Sequence, residues 1–216
     1  MIAAFNESTV IESVISDVLA LSASVVVVDD CSSDDTKDKV FGSWLIRHPV
    51  NLGQGAALQS GISFARRHGA THVVTFDADG QHRVNDVINL YAQMVRTNAD
   101  MVCGSRFMGT ATGMAFSRRL LLKLAIFFQR LTSGIWLTDA HNGLRLIGPK
   151  ALAVLQLKED RMAHASEIID QVLAAGLKIA EAPVTIDYTA YSISKGQRSS
   201  DAIGLALNII ARKLLP

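Results

Sequence analysis

The chain has 216 residues, 49% hydrophobic and 19% charged, enough to fill the core of one large domain or two small ones. Its net charge of +1 gives no electrostatic case for nucleic acid, and no such partner is expected. Two cysteines far apart, Cys31 and Cys103, argue against a disulfide scaffold; they fit a reducing compartment and small buried apolar roles.

In chain order, "MIAAF" reads as a short strand and "ESTVIESVISDVLALS" as a helix, with Val10, Ile11, Val14, Ile15, Val18 and Leu19 at helical spacing. "SVVVVDD" is a β-branched run suited to a parallel strand covered on both faces. "SSDDTKDKVFGSWL" opens on cap residues and predicts a helix, and "WLIRHP" predicts a short strand. "GQGAALQSGISFARRHG" predicts a helix ended by Gly69, "HVVTFDAD" a strand, "RVNDVINLYAQMVRTN" a helix, and "ADMVCGSRF" a strand running into a loop. Strand and helix alternating at this spacing imply βαβ units and a mostly parallel sheet flanked by helices.

The second half reads as the helix "SRRLLLKLAIFFQRLTSG", then turn and strand in "AHNGLRLIG", then helix, glycine turn and strand in "SEIIDQVLAAGLKIAEAPVTID". "YTAYSISKGQRSS" reads as a flexible polar loop, and "DAIGLALNIIARKLLP" as an amphipathic helix over about residues 201–215. No repeat or linker interrupts the chain, so 1–216 is expected to be one domain. No basic leader and no run of about 18 apolar residues occurs, so neither signal peptide nor membrane span is expected. The first strand is short, and the chain is expected to start inside the domain.

Two predicted strands end in acids, Asp29 with Asp30 and Asp77 with Asp79. Carboxylates at i and i+2 leave a strand end pointing the same way and repel each other. In α/β sheets ligands bind beyond the carboxyl ends of the strands. A hard divalent cation, Mg²⁺ or Mn²⁺, lets such a pair coexist, and is often held by one or two carboxylates plus substrate phosphates. A solvated Asp-rich turn is the plainer alternative. His48, His68, His72, His141 and His164 lack metal-ligand spacing and are expected to be structural or on the surface; His82 adjoins the acid motif and stays open.

Six segments in order, "IAAFNE", "VVVVDDCSSDDT", "NLGQGAALQSGI", "DADGQH", "GSRF" and "TDAHNGLRLI", resemble the motifs of family-2 glycosyltransferases of the GT-A fold. The nearest branch is the polyprenol-phosphate glycosyltransferases. The resemblance covers nearly the whole chain. It departs at Ala3, where Pro is usual, at Arg83 after His82, and at Asn142 and Leu144 within "NGLR".

The resemblance implies roles. Ala3, Phe5, Asn6 and Glu7 would meet the nucleotide, Asp29 or Asp30 the base or ribose, and Asn51, Gly53, Gln54 and Gly55 the nucleotide side, where glycine lets the backbone approach closely. Asp77, Ala78 and Asp79 match its D-x-D, with Asp77 and Asp79 on metal and diphosphate and Gln81 completing the metal set. Asp139 and Arg145 match its acid and arginine, Arg145 with a fork suited to phosphate; with Asp79 they form the expected catalytic set. Lys195 and Arg198 lie where a basic loop closes over donor diphosphate and lipid phosphate.

The implied reaction is inverting transfer from a nucleotide-sugar, a UDP-sugar ranked ahead of a GDP-sugar, to polyprenyl phosphate such as undecaprenyl or dolichyl phosphate. A phosphate monoester, with its second pKa near ~6, needs no strong base, so Asp139 would position groups. Were the acceptor instead a sugar hydroxyl of a lipid-linked or surface glycan, Asp139 would be the base. A non-catalytic nucleotide-sugar-binding subunit is a third reading, against which the intact Asp77 and Asp79 speak.

In the Arg118–Ser133 helix the polar residues cluster within about 140° of arc. Its broad apolar face is expected either in a core or oligomer contact, or in the membrane interface with Arg118, Arg119, Lys123 and Arg130 near headgroups. Family relatives often carry C-terminal membrane helices, and this chain ends where those would begin. The expected setting is peripheral on the cytoplasmic face, with a small membrane-protein partner or a homo-oligomer.

Overall fold

The computed structural model describes residues 1–139, 142–160 and 163–195. The predicted helix at 201–215 and Arg198 lie outside the described residues.

The strands are β1 (Ile2–Ala4), β2 (Val26–Asp29), β3 (Trp44–Arg47), β4 (Val73–Asp77), β5 (Met101–Thr112), β6 (Arg145–Ile147) and β7 (Ile179–Asp187). They form one sheet in the order β3-β2-β1-β4-β6-β5-β7. Only β6, among the described strands, runs against the rest, pairing antiparallel with both β4 and β5. The expectation of a mostly parallel sheet flanked by helices therefore holds.

Alternation along the strands feeds two cores. Ile2, Ala4, Val25 and Val27 point to one face, where Ile11, Val14, Ile15 and Val18 of α1 (Ile11–Leu19) and Leu90 and Met94 of α3 (Asn85–Thr97) pack. Met1 and Val26 point to the other, under Leu58 and Ile62 of α2 (Gln54–Arg67), Ala151 and Leu152 of α5 (Pro149–Val154), and Ile168, Ile169 and Val172 of α6 (His164–Ala174). Covering both faces explains why β2 is a continuous buried run of valines.

Four readings change. "SSDDTKDKVFGSWL" is no helix beyond a short 3₁₀ turn at Lys37–Lys39. Its cap-type residues serve another loop instead. Ser32 Oγ accepts from Asn6 N–H at 2.8 Å, Thr36 Oγ1 from Glu7 N–H at 2.8 Å, and Asp34 Oδ2 from Ser8 N–H at 3.1 Å. Second, β5 continues six residues past Arg106, to Thr112, held by β7 across a bulge between Ser105 and Thr110. Gly109 lies in the bulge, where any Cβ would overlap the Val184 backbone. Third, the expected flexible loop after β7 begins with α7 (Ala190–Lys195).

The fourth concerns α4 (Phe116–Ser133), whose described side chains do not meet the core reading. None of its residues with described side chains is buried. Phe116, Leu120, Leu124 and Phe127 are 81%, 51%, 58% and 58% exposed and form one stripe along the helix. Among the described residues no helix is long and apolar enough to cross a membrane.

Candidate active site

The carboxyl ends of β1, β2, β3 and β4 meet at one edge, and their loops are knitted together. Asn6 adopts a left-handed φ of 56°, and its Oδ1 accepts from Ser33 N–H at 2.8 Å. Asp30 is buried, and its carboxylate accepts from Leu52 N–H at 2.9 Å and Gly53 N–H at 2.6 Å, with His48 Nδ1 at 2.7 Å. Asp29, also buried, accepts from Ser32 N–H at 3.0 Å and faces Arg47 Nε at 3.2 Å. Both acids thus brace the loops. Asn51 donates to the Asp30 carbonyl at 3.2 Å. The close approach made possible by Gly55 is internal, because its missing Cβ leaves room for the backbone of Glu159 and Asp160, and its N–H donates to Asp160 O at 2.7 Å.

Asp77 ends β4 half-buried, and both its oxygens have partners. Gln54 Nε2, in the first turn of α2, donates to Oδ1 at 3.1 Å, and His82 Nε2 lies 3.0 Å from Oδ2. The Gly143 backbone packs so tightly on this carboxylate that a Cβ there would overlap it, and Thr75 Oγ1 pins Gly143 O at 2.5 Å. Burial alone would raise the Asp77 carboxyl, but the His82 bond and the nearby Arg145 and His164 hold it below the ordinary value.

Asp79 is the opposite case. Burial first, then the Asp77 charge and, less, Glu7, push it up to about 6. Its Oδ1 accepts from Gln81 N–H at 3.1 Å across a turn that Gly80 completes at φ 71°. Among the described residues no group of three His, Cys, Asp or Glu is arranged to hold a metal. Two hard carboxylates crowded enough to raise one of them still fit a divalent ion that takes its other oxygens from a diphosphate.

Asp139 is 1% exposed and sits against Arg106, Nε to Oδ2 2.5 Å, with Arg106 N–H on the same oxygen at 3.1 Å. Arg106 also donates to Tyr188 Oη at 2.7 Å. Glu181 of β7 holds the segment before it, accepting from Thr138 N–H at 2.8 Å and Asp139 N–H at 3.0 Å. Arg145 is buried within the sheet, paired in register with Thr75 and Cys103, so its charge reaches the site from beneath rather than facing open solvent. Ala78 is core, and Phe5 is exposed. Lys195 pairs with Glu7 at 3.1 Å and caps the carbonyls of Phe5 and Asn6, while Tyr191 Oη donates to Glu7 Oε2 at 2.7 Å.

Of the residues expected from the sequence, the structure brings Asn6, Glu7, Gln54, Asp77 and Asp79 to this edge and sets Asp139 against Arg106. Sequence reasoning gave no role to Arg106, although "GSRF" was in view, nor to Glu181 and Tyr191. Those two act through pairings 42 and 184 residues long in sequence, and no local pattern announces them.

With fold and edge defined, comparison places the chain. The profile of glycosyl transferase family 2 matches residues 1–155. The chain belongs to that family and is a glycosyltransferase. An uncharacterized protein of Methanocaldococcus jannaschii is 33% identical over 99% of this chain and 91% of its own length. A UDP-N-acetylglucosamine–dolichyl-phosphate N-acetylglucosaminyltransferase of Methanococcus voltae is 29% identical over 91% of this chain and 88% of its own. The expected likeness to the polyprenol-phosphate branch is met by such relatives. Glucosyl-3-phosphoglycerate synthase from Mycobacterium tuberculosis, solved with Mn²⁺, UDP and glucosyl-3-phosphoglycerate, superposes with a TM-score of 0.74 at 19% identity, covering 99% of this chain and 77% of that one. The fold is GT-A, as the motifs implied.

Proposed function

We propose that this chain transfers a sugar, with inversion, from a nucleotide-sugar to polyprenyl phosphate (undecaprenyl or dolichyl), with Mg²⁺ or Mn²⁺ bound. The observation that carries the acceptor is the burial of Asp139 against Arg106. A carboxylate committed to a buried guanidinium is a poor general base, so a hydroxyl acceptor would lack one there. A phosphate monoester, with its second pKa near ~6, brings an oxygen nucleophile already deprotonated. The relative named for dolichyl phosphate supports the same acceptor.

Asp77 and Asp79 hold the metal, with Gln81 adjoining. When bound, the ion supplies Lewis-acid charge at the departing diphosphate. The loops bearing Ala3 to Glu7 and Asn51 to Gln54 face the nucleotide, with Asp29 and Asp30 bracing them. A UDP-sugar ranks first because the structurally similar synthase was solved with UDP. Arg145 acts through its charge beneath Asp77. Lys195 reaches phosphate by leaving Glu7, and Arg198 is proposed to join it. The whole chain works as one domain.

The exposed α4 stripe, with Arg118, Arg119, Lys123 and Arg130 on the same helix, supports a peripheral setting with its apolar side in the lipid, which we assign to the cytoplasmic face. A small membrane-protein partner or a second copy is the alternative cover for that stripe.

The test is a donor screen. With Mn²⁺, UDP- and GDP-sugars and short polyprenyl phosphate, mass spectrometry should find the lipid heavier by one sugar with a UDP-sugar. Donor binding without a lipid product counts against this acceptor.

A further inference from the structure

The sequence leaves His82 without a role, and the structure gives it a specific one. The chain turns at Gly80 and comes back so that His82 bridges antiparallel to Ile186 of β7, with Asp187 N–H donating to Gln81 O at 3.0 Å. This return delivers the imidazole to the inner side of β4, its side chain 3% exposed and its ring edge-on to Phe76 at 5.3 Å. One polar contact results, Nε2 to Asp77 Oδ2 at 3.0 Å. Nδ1 is buried and has no hydrogen-bond partner among the described residues. An orphaned N–H there would be costlier than a bare lone pair, which puts the proton on Nε2, pointing at Asp77.

A leucine or phenylalanine would fill the space beside Phe76 without leaving a polar atom unpaired. Burying an imidazole with one nitrogen unsatisfied costs stability. What it adds is a donor fixed on one oxygen of Asp77, while Gln54 fixes the other at 3.1 Å. Each carboxylate oxygen accepts two hydrogen bonds or ligands. One lone pair on each is therefore taken by the protein, and the remaining pair is held in a set direction. Among the described residues Asp79 has no such clamp, its hydrogen bond being the local one accepted from Gln81 N–H.

We propose that His82 is a positioning residue that holds the Asp77 carboxylate in the orientation a divalent cation requires. The inference rests on the metal reading of Asp77 and Asp79 above. Removing a group that orients a metal ligand typically costs about 10- to 100-fold in metal affinity.

The experiment titrates Mn²⁺ into the full chain with saturating UDP, read by the electron paramagnetic resonance signal of free Mn²⁺. Metal-free UDP affinity and the melting temperature are measured alongside. His82→Phe should weaken Mn²⁺ by about 10- to 100-fold and leave metal-free UDP affinity unchanged. His82→Gln, which keeps an amide donor, should recover most of the loss. If His82→Phe does not fold, His82→Met takes its place with the same expectation. Folded His82→Phe or His82→Met binding Mn²⁺ as tightly as the parent overturns the inference. So does equal loss of metal-free UDP affinity, which marks a merely structural role. A parent chain that binds UDP but no Mn²⁺ overturns the metal reading itself and His82's role with it.

Discussion

At the ends of β1 to β4, Asn6, Asp30, Asp34 and Asp77 are each bonded to a neighbouring loop or side chain. Along α4, four large apolar side chains are each more than half exposed among the described residues. The first region is finished by its own chain and leaves one crowded pair of carboxylates for an outside cation. The second is left uncovered by the described residues and is suited to an apolar neighbour. The proposed transfer from a water-soluble donor to a lipid phosphate would use both kinds of surface. The contrast can be broken or sharpened by substitutions that touch one region only.

The largest effect belongs to the carboxylate pair. Asp79→Asn, or chelation of metal with EDTA, should lower turnover by about 10²–10³-fold, because several kcal/mol of charge stabilisation are lost. Vesicle binding should not change. Retained activity in either case would remove the metal from the account.

Next comes Asp139→Asn, which removes the charged partner of a buried guanidinium that keeps its bond to Tyr188. Breaking such a pair costs about 3–5 kcal/mol, so the melting temperature should fall sharply. Protein that remains folded should still use a phosphate acceptor. Unchanged stability with complete loss of turnover would instead make Asp139 the base.

Leu124→Asp with Phe127→Asp addresses the other region. Burial of each parent side chain in lipid is worth about 1.5–3 kcal/mol, so binding to anionic vesicles should drop at least tenfold per position. Because both side chains are exposed, stability in water should shift by only about 0.5 kcal/mol. A co-sedimentation assay with matched calorimetry reads both. Unaltered vesicle binding, with a changed oligomeric state, would assign the stripe to a second copy.

The smallest effect is a pH term at the knitted edge. Burial opposes the Asp34 charge, but bonds from Thr36 and Ser8 lower its pKa from 3.8 to about 2. Its contribution is therefore complete above pH 3.8 and is lost as pH falls through about 2. Asp34→Asn should cost about 1 kcal/mol at neutral pH and flatten the acid limb of the melting profile. An identical acid limb in parent and variant would contradict this.

These regions were not equally legible in the sequence. The strand order of acids and glycines identified the edge, because carboxylates after β-branched runs are costly unless something uses them. The α4 periodicity marked an apolar face but not what covers it, since core and interface stripes share one spacing. The 32–36 stretch misled because serine, threonine and aspartate cap a helix or a distant loop with the same atoms. The motif marked Arg145 as a phosphate-facing group but not its depth, since burial between β4 and β5 is set by strand order and not by the local pattern.

The most direct measurement offers two acceptors side by side. Labelled UDP-sugar and Mn²⁺ are given to the chain with polyprenyl phosphate, and separately with the same polyprenyl chain carrying a terminal sugar hydroxyl. The account predicts label on the phosphate lipid, one sugar per UDP released, and none on the hydroxyl lipid. Label on the hydroxyl lipid alone would contradict it.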